Sequence, residues 1–165
     1  MADLEQHFLR DGAALAWLVA QLDPRPGEAV VELGAGTGTV AAALRRVVAA
    51  ASLTLVELDP DLAAGLRRDF PGVRVEAADW RAAWRSLPPP DVLVASLPDA
   101  HVPVLLRALA ARPPRVAGIA VAAGRPVRLP PELELTDRRP LPPTAFDPPQ
   151  PFAGEAWVLR PTGGA

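Results

Sequence analysis

VVELGAGTG, at residues 30–38, joins a short apolar run to three closely spaced glycines. Residues 29–33 have the length and the β-branched content of a buried strand. Glycines that directly follow a strand let the backbone turn sharply and let a ligand approach the main chain without meeting a Cβ atom. The segment therefore predicts a strand, a ligand-binding turn and then a helix.

Strands and helices alternate along the chain around this turn. Apolar spacing and composition predict helices at Gly12–Leu22, Thr39–Val48, Pro60–Phe70, Trp80–Leu87 and Val102–Ala111. Further apolar runs predict strands at Leu53–Leu58, Val73–Ala77, Asp91–Ala95 and Val116–Ala123. Alternation at this rhythm indicates a parallel sheet covered on both faces, with right-handed crossovers. We therefore predict an α/β fold: a three-layer α/β/α, Rossmann-like, doubly wound sheet.

The chain changes character after Arg112, where more than half of its prolines fall. Two further strands are predicted there, at Glu132–Thr136 and Gly154–Arg160. They indicate antiparallel pairing at one edge of the sheet. The sheet is therefore expected to be mostly parallel with an antiparallel last strand. Because 165 residues without a repeat or a linker suit one domain, residues 1–165 are predicted to form a single domain.

Composition excludes several classes of protein. The formal charge of −2 argues against a domain with an overall basic field for nucleic acid. The chain has no cysteine and only two histidines, so no metal site is predicted. No apolar run reaches the roughly 20 residues of a membrane span, and the acidic start with Asp3 and Glu5 does not resemble a signal peptide. We expect a cytoplasmic protein without stable membrane insertion.

The spacing of the glycines indicates which ligand the turn binds. A dinucleotide fingerprint would place its third glycine at position 39, whereas Gly34, Gly36 and Gly38 are followed by Thr39. Glu32, two residues before the first glycine, would repel a pyrophosphate but suits a ligand with a cationic amine. S-adenosylmethionine carries such an amine and a sulfonium, so it is favoured over a nicotinamide cofactor.

Acidic residues also follow the next two predicted strands. Glu57 ends one strand, where a carboxylate can accept hydrogen bonds from both hydroxyls of a ribose. Asp79 follows the other, where it can accept a hydrogen bond from an adenine amine. Three acids at three neighbouring strand ends fit one ligand with amino-acid, ribose and adenine parts. Asp59 and Asp61 are instead expected to cap the helix after Pro60.

These motifs resemble those of the class I S-adenosylmethionine-dependent methyltransferases. Gln6-His7-Phe8-Leu9 and residues 146–151, FDPPQP, are similar to segments of the rRNA adenine dimethylases. Residues 68–73, RDFPGV, and residues 96–98, SLP, look more like the bacterial phospholipid N-methyltransferases. The resemblance does not extend to the all-helical carboxy-terminal domain of the dimethylases, which has no expected counterpart in these residues.

The resemblance implies a set of cofactor-binding residues. The entrance would be lined by Gln6, His7 and Leu9. The methionine part would be held by Glu32, Gly34, Gly36 and Gly38, with Ser96 facing the same site. The ribose and the adenine would be held by Glu57, Leu58, Asp79 and Trp80. An alternative for Trp80 is a side chain that packs in the core.

The substrate side departs from the dimethylase pattern. Those enzymes carry Asn-Leu-Pro-Tyr after the fourth strand, and the tyrosine stacks on the target base. Here the segment is Ser96-Leu97-Pro98-Asp99. Ser96, Leu97 and Asp99 are the predicted catalytic residues, which would orient an amine and accept its proton. Alternatively, Asp99 caps the helix at Val102. Phe146, Phe152 and His101 are the candidates to supply the aromatic ring that the tyrosine provides in the dimethylases.

We therefore predict a methyltransferase that transfers a methyl group from S-adenosylmethionine to a nitrogen nucleophile, similar to the rRNA adenine dimethylases. The predicted acceptor is RNA, a lipid head group or a small amine. Two alternatives stay open: a phospholipid or small-amine N-methyltransferase, and a cofactor-binding module without catalysis. A homodimer is a further open expectation.

Overall fold

The computed structural model describes residues 7–123 and 126–163. Its helices are α1 Gly12–Leu22, α2 Thr39–Leu44, α3 Pro60–Asp69, α4 Trp80–Ser86 and α5 Val102–Ala111. Its strands are β1 Phe8–Leu9, β2 Val30–Leu33, β3 Leu53–Glu57, β4 Arg74–Ala77, β5 Val92–Ala95, β6 Val116–Ala122, β7 Leu133–Leu141, β8 Phe146–Asp147 and β9 Gly154–Pro161. The predicted alternation of strands and helices is present from α1 to β6.

Seven strands form one sheet in the order β4-β3-β2-β5-β6-β9-β7. The first five are parallel, and β9 pairs antiparallel with both β6 and β7. The predicted Rossmann-like fold, mostly parallel with an antiparallel last strand, is confirmed. After β2 the chain moves first to β3 and β4 on one side and then to β5 and β6 on the other. In sheets of this kind ligands bind at such a reversal, beyond the carboxyl ends of the strands.

Helices cover both faces of the sheet. On one face α1, α2 and α3 contribute to one apolar cluster, with Leu22 and Leu44 fully buried. On the other face α4 and α5 contribute to a second cluster, which includes Trp84 and Leu109. Burying these side chains is the main force that holds the three layers together. Among the described residues no helix is both long and apolar enough to cross a membrane.

The last part of the sheet is longer than the sequence indicates. β7 runs nine residues to Leu141, whereas the predicted strand ended at Thr136. Pro140 does not stop it, because β7 is the edge strand and one side of its backbone needs no partner. The pairing with β9 shifts register between Leu135 and Asp137, which marks a bulge at Thr136.

Two other elements differ from the prediction. α2 ends at Leu44 rather than Val48, and the β-branched pair Val47-Val48 that follows is a poor helix former. β1 and β8 form a separate antiparallel pair, in which Phe8 lies opposite Asp147. Neither short strand was predicted. The pair brings the segment before α1 against the proline-rich segment before β9.

Candidate functional site

A cleft of about 700 Å³ lies beyond the carboxyl ends of β2, β3 and β5. Its volume is within the range of ligand-binding sites, which is roughly 300–1,000 Å³. Ten of the predicted cofactor-binding and catalytic residues line it: His7, Gly34, Gly36, Glu57, Leu58, Asp79, Trp80, Ser96, Leu97 and Asp99. The fold thus brings most of the predicted cofactor and substrate residues to one place.

The glycine turn is shaped by close approach of the protein's own atoms. Gly34 and Gly36 have φ angles of +75° and +55°. A Cβ atom at Gly34 would lie 2.5 Å from the carbonyl oxygen of Ser96, and one at Gly36 would lie 2.4 Å from the ring of Phe8. Both positions therefore require glycine. The turn brings β1 and the Ser96 segment together around the cleft.

Glu57 fastens the glycine turn to the end of β3. Its side chain is 6% exposed. One carboxylate oxygen accepts a hydrogen bond from the backbone N–H of Gly36 at 2.7 Å, and the other accepts one from Asp59 at 2.9 Å. Each oxygen of a carboxylate has a second lone pair. Glu57 can therefore accept further hydrogen bonds from a ligand while it holds the turn.

Glu32 belongs to β2 and is not part of the cleft wall that the described residues form. It is 1% exposed, and among those residues its Oε2 atom has no hydrogen-bond partner. Burial raises the pKa of this carboxyl well above its ordinary value, and the nearby charge of Glu57 raises it further. Burying a carboxyl oxygen without a hydrogen-bond partner costs free energy. A cationic group near the turn would therefore stabilise Glu32.

Two further predicted residues are also outside the lining. Leu9 is buried in a small apolar cluster with Phe146. Gly38 starts α2, and a Cβ atom there would lie 2.6 Å from Phe70, so this glycine permits close packing of α2 against α3. Leu9, Glu32 and Gly38 thus lie outside the cleft wall that the described residues form, and their contacts with a ligand stay predictions. Gln6 lies outside the described residues.

Asp79 and Trp80 stand at the start of α4. Asp79 caps this helix, because its side chain accepts a hydrogen bond from the backbone N–H of Arg81 at 2.8 Å. The other oxygen of Asp79 pairs with the guanidinium of Arg81 at 3.1 Å. Trp80 is 6% exposed and belongs to the core cluster, yet it also lines the cleft. Trp80 therefore packs in the core, as one interpretation predicted, and also contacts the cleft, as the other requires.

Ser96 and Asp99 connect β5 to the neighbouring strands. The backbone N–H of Ser96 donates to the carbonyl of Leu33 at 3.1 Å. One oxygen of Asp99 accepts from the backbone N–H of Ala122 at 3.0 Å, at the end of β6. Within the described chain, α5 has no side-chain cap. The interpretation of Asp99 as the cap of that helix is therefore wrong.

Of the three residues considered as replacements for the missing ring, Phe146 is buried in β8 and outside the cleft wall that the described residues form. Phe152 and His101 both line the cleft, and Phe152 is 42% exposed. Phe8 and Gln150 also line it. Neither was named as a site residue from the sequence. Their only signal was membership of the two segments that resemble the dimethylases.

Comparison with known proteins relates the chain to methyltransferases that act on ribosomal RNA. Residues 2–77 match the family model described as ribosomal RNA adenine dimethylase. The chain is similar to the ribosomal RNA adenine dimethylases. The ribosomal RNA small subunit methyltransferase A of Methylibium petroleiphilum is 52% identical over 63 residues, which are 38% of this chain and 24% of that protein. The matching part thus spans about a quarter of this dimethylase relative.

Two solved structures share the fold of this dimethylase-like chain. The 23S rRNA methyltransferase ErmE has a TM-score of 0.76 at 23% identity, covering 94% of this chain and 70% of that one. A dimethyladenosine transferase from Plasmodium falciparum also has a TM-score of 0.76, at 16% identity, covering 94% of this chain and 64% of that one. At such identities the likeness shows the fold alone.

The family match confirms the resemblance to S-adenosylmethionine-dependent methyltransferases, and its members use S-adenosylmethionine as methyl donor. The prediction of that cofactor is confirmed. The matching family and the Methylibium petroleiphilum relative are both named for methylation of ribosomal RNA, not of a phospholipid or a small amine.

Proposed function

We propose that this chain is an S-adenosylmethionine-dependent methyltransferase that modifies the exocyclic amine of adenine in ribosomal RNA. The observation that carries the proposal is one cleft in which the glycine turn and Glu57 face the Ser96–Asp99 segment. One side has the groups that suit the cofactor, and the other has groups that suit an amine. The match of residues 2–77 to the dimethylase family supports the choice of acceptor.

The residues present fit the cofactor. Glu57 has lone pairs free for ribose hydroxyls, and Asp79 with Trp80 would hold the adenine. The unpaired oxygen of Glu32, next to the glycine turn, suits the positive end of the methionine part. When bound, the cofactor supplies a methyl group activated by its sulfonium.

The chain's own task is to hold the acceptor amine in line with that methyl group, since alignment supplies most of the catalysis in such a displacement. The Ser96 hydroxyl, the Leu97 carbonyl and Asp99 would orient the amine. One oxygen of Asp99 is fixed by Ala122. The other oxygen is therefore held at a defined place, where it can accept a hydrogen bond from the amine and then the proton that leaves as the N–C bond forms.

Phe152 supports a base as the acceptor. Enzymes that modify a base take it out of the stack and hold it against aromatic side chains. Asp99 stands where the dimethylase motif has its tyrosine, so the Ser96–Asp99 segment offers no aromatic ring. Phe152 presents a half-exposed ring at the same cleft from the loop before β9. We assign the stacking role to this residue.

Two measurements test the proposal. In calorimetry we expect binding of S-adenosylmethionine and none of NAD. With a tritiated methyl donor, we expect label in small-subunit ribosomal RNA transcribed in vitro, but none in phospholipid vesicles or ethanolamine. Cofactor binding with no label in any acceptor would instead favour a non-catalytic module. Binding of NAD in place of S-adenosylmethionine would refute both interpretations.

RNA is thus the proposed partner, and the predicted cytoplasmic location would place the protein with its substrate. The homodimer and the single domain over residues 1–165 stay predictions. Within the described residues, no group of three or more His, Cys, Asp and Glu side chains could hold a metal ion.

A further inference from the structure

His101 lies between two donor side chains at the wall of the cleft. The indole Nε1 of Trp80 is 3.2 Å from the Nδ1 atom of His101, and an Nη atom of Arg81 is 2.9 Å from the same Nδ1 atom. The rings of Trp80 and His101 meet edge to face, with centroids 6.2 Å apart. Asp79 pairs with Arg81 and so fixes the guanidinium beside the imidazole.

This arrangement determines the tautomer of His101. The indole and guanidinium groups carry hydrogen-bond donors and no acceptor. The Nδ1 atom that faces both must therefore carry the lone pair. A neutral imidazole with a bare Nδ1 carries its proton on Nε2. His101 is then a hydrogen-bond donor at Nε2, with neither ring nitrogen free to act as a base.

We propose that His101 is a positioning residue that donates its Nε2–H to a ring nitrogen of the acceptor base, which rests on the proposed function. His101 lines the cleft, and its Nδ1 is already engaged, so only Nε2 is available to a ligand. The acceptor is neutral rather than a phosphate, because the carboxylates of Glu57, Asp79 and Asp99 line the same cleft and would repel an anion. Adenine offers such ring nitrogens.

The tautomer can be measured directly by nitrogen-15 NMR of the imidazole rings in the full chain. The protein has two histidines, and His7 provides an internal contrast. Its Nδ1 lies 2.9 Å from the carbonyl oxygen of Pro148, which can only accept, so His7 carries a proton on Nδ1. We expect opposite tautomers for the two residues, with the signals assigned by a His7→Gln variant. A proton on Nδ1 of His101 would overturn the inference.

Two matched variants test the donation to substrate. His101→Gln places an amide donor near the former Nε2, whereas His101→Asn keeps a polar group near Nδ1 and loses the donor in the cleft. We expect His101→Gln to keep the KM for ribosomal RNA within about threefold and His101→Asn to raise it about tenfold, the effect of one lost hydrogen bond. His101→Asn keeps an acceptor for Trp80 and Arg81, so its affinity for S-adenosylmethionine should stay near the wild-type value.

Equal KM values in the two variants would overturn the role in substrate binding. The NMR measurement does not depend on methyl transfer, so the failure of one proposal can be told from the failure of the other. A wild-type protein with the Nε2–H tautomer and no methyl transfer would contradict the proposed function. An active enzyme with the opposite tautomer would contradict this inference alone.

Discussion

Glu57 has two roles at the residue scale, since it holds the glycine turn and faces the proposed ribose site. Replacing it by alanine removes both sets of hydrogen bonds. We expect Glu57→Ala to weaken binding of S-adenosylmethionine by about 1–3 kcal/mol in calorimetry. Asp61→Ala is the matched control, because this acid lies exposed in the first turn of α3 and its loss changes the net charge equally. Unchanged affinity in Glu57→Ala would remove Glu57 from the site.

Phe152 is the test of base stacking. Stacking of a base on an aromatic ring contributes roughly 1–3 kcal/mol. Phe152→Ala should therefore raise the KM for ribosomal RNA by about tenfold or more, and Phe152→Trp should keep it near the wild-type value. Cofactor affinity serves as the control in both variants. An alanine variant with wild-type KM would show that the acceptor does not contact this ring.

Glu32 makes stability depend on pH. Its folded pKa is raised by burial, so between its ordinary value near 4.5 and the raised value the folded state binds more protons than the unfolded state. The free energy of unfolding should therefore fall as pH rises through that window. Glu32→Gln removes this proton binding. Urea unfolding from about pH 5 to about pH 8 should show a shallower decrease in the variant. Parallel curves would contradict the raised pKa.

At the scale of elements, Arg115 joins the end of α1 to the start of β6. It donates to both carboxylate oxygens of Glu28, at 2.6 and 2.7 Å, and to the carbonyl of Asp23 at 2.9 Å. Arg115→Gln should lower the free energy of unfolding by about 1–2 kcal/mol. The Arg74–Glu76 pair, in which the arginine is exposed, provides the control, and Arg74→Gln should change stability by less than about 0.5 kcal/mol.

Because of the Arg115–Glu28 contact, the free energy of unfolding should depend on pH in the acidic range. The hydrogen bond from Arg115 lowers the pKa of Glu28 below its ordinary value. The stability that the contact adds is therefore present above about pH 4.5 and is lost as pH falls through the lowered pKa. In chemical unfolding, the difference between wild type and Arg115→Gln should shrink in that acidic range. A difference that stays constant into acid would contradict the assignment.

The long elements could be predicted from the sequence because their pattern repeats. α5 has the predicted bounds, since apolar residues recur through it at helical spacing and Pro103 suits its first turn. β1 and β8 could not be predicted, because two residues show no periodicity and their pairing joins segments about 140 positions apart. The length of β7 depends on its place at the sheet edge, which sequence spacing does not give.

At the scale of the whole molecule, cofactor binding should be visible as a gain in stability. A ligand at 100 times its Kd, bound only by the folded state, adds about 2.7 kcal/mol. For a chain of this length that corresponds to a rise in Tm of about 5–10 °C. We expect this rise with S-adenosylmethionine and no rise with NAD. Absence of a shift at saturating cofactor would contradict the site.

The sequence predicts the site residues that directly follow parallel strands. It does not predict contacts between segments that are distant in the sequence. Glu57 and Asp79 were placed correctly beside the cleft because parallel strands end at one edge of a sheet. The contact between Asp99 and Ala122 was not foreseen, because it joins the ends of two strands through a side chain. The burial of Glu32, which is 1% exposed, was not foreseen either.

The position of β9 has a consequence for synthesis of the protein. β9 lies between β6 and β7, so β7 leaves the ribosome before the strand that attaches it to the sheet. Until Gly154–Pro161 emerges, β6 keeps an open edge and β7 has no neighbour. The nascent chain can thus build the parallel half with its glycine turn early, while the half that carries Phe152 is completed only when β9 emerges.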